Sequence, residues 1–174
     1  MTRTARRVMS ALIGAVVVTG MAPGRVGAME DKIVVGWVEE VKISPGNIVL
    51  HAKVDTGADN SSLHVSDFTL FERDTKPYVR FEVTDRDGKT TTLELPVVRT
   101  AKIKRHKGAR QLRPVVVLTL CLGSYRADAE VNLVDRSRFA YPMLVGRSFL
   151  RQMFVVDPSR RLTVQPTCRG DNKK

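Results

Sequence analysis

Between Asn47 and Val54 the chain alternates: Ile48, Leu50, Ala52 and Val54 are apolar or small, while Val49, His51 and Lys53 fill the places between them. This period of two predicts a strand that runs out at Asp55. A second strand is predicted over Ile33 to Val41, carrying Trp37, with Pro45-Gly46-Asn47 as the turn between the two. Tyr78 to Thr84 and Thr90 to Val97 flank Asp85-Arg86-Asp87-Gly88-Lys89, a strong hairpin signal. Pro114 to Leu120 is a continuous apolar run, turned by Leu122-Gly123-Ser124 into Tyr125 to Val134. Leu162 to Val164 reads as a last short strand, and the one helix signal is Arg147 to Met153, after Gly146. The pattern predicts a mostly β protein, and the absence of repeats and linkers predicts a single domain.

Composition changes this picture mainly at the ends. The chain has 174 residues, 43% of them hydrophobic, enough for one packed core. Arg3, Arg6 and Arg7 precede the apolar run from Val8 to Ala22, and Val26-Gly27-Ala28 supplies small residues after it. Residues 1–28 therefore read as a secretory signal peptide cut after Ala28, which predicts a periplasmic or secreted protein; an uncleaved anchor is the alternative. The domain is expected over 29–167, with 168–174 as a disordered tail. Loss of 1–28 removes four arginines and no acid, so the formal charge of +11 becomes +7. Much of that excess lies between Arg99 and Arg113, without aromatic interleaving or a nucleic-acid motif, and no nucleic-acid partner is expected. Cys121 and Cys168 could pair in an oxidising compartment, although Cys121 sits in an apolar run and reads more readily as a core residue.

The candidate chemistry lies where the alternating strand ends, at Asp55-Thr56-Gly57-Ala58. A carboxylate at the mouth of a tight turn can accept hydrogen bonds from the turn's own N–H groups and so be held at one height. A glycine lets a second backbone or a ligand come close. A second segment, Tyr141 to Leu150, is an apolar run ending in Gly146 and followed by Arg147. Other chemistries find no purchase. His51, His64 and His106 are isolated, with no H-E-x-x-H pair, and neither a phosphate-binding loop nor a G-x-S-x-G elbow occurs. No metal and no cofactor are expected.

Taken together, Lys53 to His64, the run from Arg113 and Leu144 to Leu150 resemble the retropepsin-like aspartic peptidases. The closer resemblance is to a bacterial family often labelled "ATP-dependent zinc protease" and associated with ATP-grasp ligases. It implies a closed β-barrel with a short helix after a ψ-shaped loop. Asp55 would be the catalytic acid, Thr56 would bond across to a partner's loop, and Gly57 and Ala58 would complete the active-site loop. Leu144, Val145 and Gly146 would brace that loop, and Asp59 and Arg147 would pair near a dimer interface. By chain order the flap would fall over Arg99 to Arg113, with Arg105, His106, Lys107 and Gly108 reading substrate.

An aspartic peptidase needs two carboxylates sharing one proton, and only one D-T-G occurs here. A C2 homodimer is therefore the expected active form. The expected activity is endopeptidase cleavage of a peptide or protein substrate, acidic if the basic run reads it. A non-catalytic binding or regulatory module on the same fold is the alternative. A membrane-protein partner is left open, and no residue selects one.

Overall fold

A computed structural model describes residues 31–103, 111–151 and 153–168. The expected signal segment 1–28, the flap candidates Arg105, His106, Lys107 and Gly108, and residues 169–174 of the expected tail lie outside the described residues. Twelve strands and one short helix are present among the rest: β1 (Ile33–Gly36), β2 (Val38–Ser44), β3 (Ile48–Val54), β4 (Ser61–His64), β5 (Phe68–Arg73), β6 (Lys76–Thr84), β7 (Thr90–Pro96), β8 (Arg99–Ile103), β9 (Gln111–Leu122), β10 (Tyr125–Val134), β11 (Met143–Val145), α1 (Arg147–Leu150) and β12 (Phe154–Asp157).

The main sheet runs β10-β4-β11-β3-β2-β9, and β9 pairs back onto β10, so six strands close into a barrel. Closure removes the free edges that an open sheet would expose. The alternation of β3 is realised: Ile48, Leu50, Ala52 and Val54 are buried inside, and Val49, His51 and Lys53 are not. With Val41, Ile43, Leu63, Leu118, Leu120, Val131, Leu133 and Met143 they form the core. Each Val, Leu, Ile or Met side chain among them contributes about 1.5–3 kcal/mol by leaving water. The β2–β3 turn places Gly46 and Asn47 at positive φ, as the Pro-Gly-Asn sequence predicts. The Asp85 hairpin joins β6 to β7, with the Asp85 carboxylate accepting from the N–H groups of Asp87 and Lys89. These two strands and β5 make a three-stranded sheet whose Val79, Phe81, Val83 and Leu93 join the same core.

Four expectations change. The strand expected over 33–41 is two strands, broken at Trp37. The chain presses so closely there that a Cβ on Gly36 would lie 2.3 Å from the Arg160 carbonyl oxygen. Leu162 to Val164 is not a strand: Leu162 has a φ of 53°, and the N–H groups of Thr163 and Val164 donate to the Glu39 carboxylate instead of to a neighbouring strand. The last strand is β12, parallel to β1. The helix is one turn, ending at Leu150 rather than Met153. Finally, Cys121 is both buried and bridged to Cys168. Cys168 therefore belongs to the folded domain, and a tail can begin only after it.

Candidate active site

β3 delivers Asp55 to the barrel's rim. The Asp55 N–H donates to the Val145 carbonyl at 2.9 Å, which ties the loop to β11 at its first residue. The chain then turns, and the Gly57 and Ala58 N–H groups both donate to Asp55 Oδ1, at 2.9 and 3.2 Å. The other oxygen, Oδ2, faces Lys53 Nζ at 3.3 Å. Burial alone would push this carboxyl up. The Gly57 N–H, the Lys53 ammonium and the Ala58 N–H together outweigh burial and hold it below its ordinary value of 3.8.

The brace comes from a segment about ninety residues further along. β11 lies between β3, parallel to it with Leu144 opposite Lys53 and Val145 opposite Val54, and β4, antiparallel to it. Gly146 then passes so close to the loop that a Cβ on it would stand 2.7 Å from the Asn60 carbonyl carbon and 2.8 Å from the Asp59 oxygen. No other residue fits there. The Arg147 and Ser148 N–H groups donate to the Ala58 and Asp59 carbonyls, both at 2.9 Å. The Arg147 guanidinium reaches over the loop, donating to the Thr56 and Gly57 carbonyls at 2.9 and 3.0 Å and lying 3.5 Å from the Asp59 carboxylate. Asp55, Thr56, Gly57, Ala58, Asp59, Leu144, Val145, Gly146 and Arg147 thus meet at one end of the barrel. The Asp59–Arg147 pair forms within one chain, and both side chains are at least half exposed in it.

Two residues that the motifs did not single out stand beside this loop. Lys53 is one; its signal in the sequence is its place two residues before Asp55, on the same face of the strand. Arg136 is the other. It is buried after β10, donates to Ser62 Oγ at 2.9 Å and lies over the Phe139 ring. Burial and neighbouring Arg113 push its pKa below the usual arginine value, while the charge of Asp55 acts in the opposite sense. With Arg113, Arg138 and Phe139 it lines a cavity of about 520 Å³. Nothing in the local sequence distinguishes Arg136 from the basic residues around it.

Residues 34–167 match the model of the RimB-like family, described as retropepsin-like aspartic endopeptidase RimB. The chain belongs to that family. Its barrel is similar to the crystal structure of a Legionella pneumophila protein of unknown function (DUF785), with a TM-score of 0.65 and 36% identity over 76% of this chain and 98% of that one. Curated relatives are called "Probable alpha-L-glutamate ligase". The one from Shewanella halifaxensis is 29% identical and the one from Parasynechococcus marenigrum 31%, each over 134 residues, 75% of this chain. The chain spans only 29% of the length of either relative.

Two of the three histidines have partners of their own. His64 Nδ1 accepts from the Arg136 N–H at 2.9 Å, and His51 lies 3.6 Å from Glu40. His106 falls outside the described residues. β8 and the start of β9 pair antiparallel from Arg99 opposite Val115 to Ile103 opposite Gln111, so the expected flap segment has paired arms on either side of residues 104–110.

Proposed function

We propose that the protein is an aspartic endopeptidase whose site forms when two subunits bring their Asp55 carboxylates together. The observation that carries this reading is the loop geometry: one Asp55 oxygen is fixed by two N–H groups, and the loop behind it is locked by β11 and Arg147. In such a pair one carboxyl keeps a proton because both cannot ionise at close range. The ionised member takes a proton from water, the water attacks the peptide carbonyl, and the protonated member hydrogen-bonds its oxygen. The cations on this side of the barrel favour an acidic substrate: Lys53 touches the acid, Arg136 feels its charge, Arg113 and Arg138 line a cavity with Arg136, and Lys102 is exposed on β8. The glutamate-ligase relatives suit the same substrate class by analogy. The reading of residues 1–28 as an export signal supports a periplasmic or secreted setting for the reaction.

The test is cleavage profiling of the mature protein on a proteome-derived peptide library, with Asp55→Asn as control and at several protein concentrations. Cleavage that vanishes in the variant and on dilution is the expected result. A fully active monomer, or an active Asp55→Asn protein, would sink the reading. A second reading, a binding module on the same fold, draws on the lysine seated on the acid, since a site shut by a counter-ion need not cut anything. It predicts peptide binding without cleavage in the same library.

A further inference from the structure

Lys53 lies on β3 and Asp55 just past its end, two residues on; their side chains meet, while Val54 between them is buried. The ammonium stands 3.3 Å from Oδ2, the oxygen that the loop leaves over, and the lysine side chain is about half exposed at 48%. The other charges near Asp55 are anchored elsewhere. Arg136 is buried and donates to Ser62 Oγ and the Tyr141 carbonyl. Arg147 holds the carbonyls of Thr56 and Gly57, and Asp59 is paired with Arg147. Among the described residues, Lys53 is the cation that both touches the carboxylate and has a long, exposed stem on which to leave it.

Such a lysine works against the proposed chemistry as long as it stays. A cation this close favours the ionised carboxylate. In a two-fold pair there would be two lysines, and a pair stripped of its shared proton has no acid to offer the scissile carbonyl.

We propose that Lys53 is a displaceable counter-ion: it occupies Asp55 in the free protein and leaves it for a carboxylate side chain of the bound substrate. This rests on the aspartic peptidase reading above. When both lysines have moved, the Asp55 pair takes one proton from solvent and reaches its working state. Bonding at the peptide is unaltered by this step; a proton passes from buffer to the pair on binding and returns when product leaves. Lys53 is then a positioning residue that makes acidic substrates better turned over, and not merely better bound.

The test begins with calorimetric titration of a peptide carrying glutamates around a reduced, uncleavable bond, run in two buffers of different ionisation enthalpy. The wild-type dimer should take up about one proton with this peptide and none with its glutamine counterpart. Lys53→Met should lose that difference, and its kcat/KM profile should extend to higher pH by about one unit, the effect of removing a cation from contact with an acid. Lys53→Arg should restore the wild-type limb. If the wild-type dimer takes up no proton, a result that needs no variant, the proposal is overturned. It is equally overturned if folded Lys53→Met keeps the wild-type pH profile. Asp55→Asn run alongside separates the two readings: cleavage surviving in that variant removes the peptidase reading itself, whereas cleavage lost there without proton uptake in wild type removes only the role of Lys53.

Discussion

Glu39 and Asp55 are both held by backbone N–H groups, and they end in opposite conditions. Glu39 on β2 is completely buried. Its oxygens accept from the N–H groups of Gly36, Thr163 and Val164 and from the Thr163 hydroxyl, so every direction is filled. Asp55 has one oxygen fixed by two N–H groups, and its other oxygen faces a half-exposed lysine. The same interaction serves as a weld in one place and as a mount in the other. What separates them is saturation: Glu39 fastens the C-terminal arm to the barrel, whereas Asp55 keeps one lone-pair face for something else.

The largest test of this contrast is to remove each acid in turn. Asp55→Asn should lower cleavage by about 10³-fold, the scale of lost general acid–base catalysis, and leave melting nearly unchanged. Glu39→Gln should do the reverse. It turns an amide N–H₂ toward buried donors and should cost about 3 kcal/mol or more of stability, read by urea unfolding, with specific activity preserved in the folded fraction. If Glu39→Gln melts like wild type, the weld is not one. The pH dependence has a fixed sign for Asp55. Its folded-state pKa lies below 3.8, so its stabilisation is complete above that value and is lost as pH falls through the lower folded one. On diluted subunits, any melting gap between wild type and Asp55→Asn should close below about pH 4.

Next in size is the second fastening of the arm. The Cys121–Cys168 bridge closes a span of 47 residues. Reduction, or a double serine variant, should cost about 2–4 kcal/mol and should be felt first around Thr163 and Glu39. Hydrogen exchange that rises at the Asp55 loop instead would show the two regions to be coupled.

The smallest expected effect is at Arg147. A buried partner of Asp59 would be worth several kcal/mol, but in the single chain the pair is exposed and belongs to the class worth about 0.2–1 kcal/mol. Arg147→Ala should therefore shift subunit melting by about 1 kcal/mol. Its larger mark should be on activity, because the carbonyls of Thr56 and Gly57 lose their clamp. Sedimentation of the variant shows whether dimerisation falls with it.

The sequence made the local devices readable and hid those that depend on remote segments. The Asp85 turn, the limits of β10 and the end of β3 follow from patterns within ten residues, and the structure has them there. The bracing role of Leu144 to Gly146 is legible only through the family resemblance, since an apolar run ending in glycine is by itself an ordinary strand end. Glu39 left no signature: in Val38-Glu39-Glu40-Val41 it looks like any strand acid, and its burial depends on an arm 124 residues away. That arm also misled the reading of Leu162 to Val164, whose apolar ends suggest a strand while its N–H groups serve a carboxylate. β5 is not legible in the sequence, because Phe68–Arg73 is mostly exposed and its burial does not alternate. The cysteine pairing needed a separation, a Cα–Cα distance of 6.0 Å, that no spacing along a chain can supply.

The contact between Arg147 and the Thr56 carbonyl joins residues 91 apart. A chain made from its N-terminus presents the acid long before its brace exists. Until Val145, Gly146 and Arg147 emerge, Asp55 is one more acidic residue on an unfinished sheet, with no fixed height and no locked turn. Contacts this remote form late, since the loop between them must first be closed. The order of synthesis therefore acts as a timer, and the carboxylate is set in position only once nearly all of the barrel that must carry it has been made.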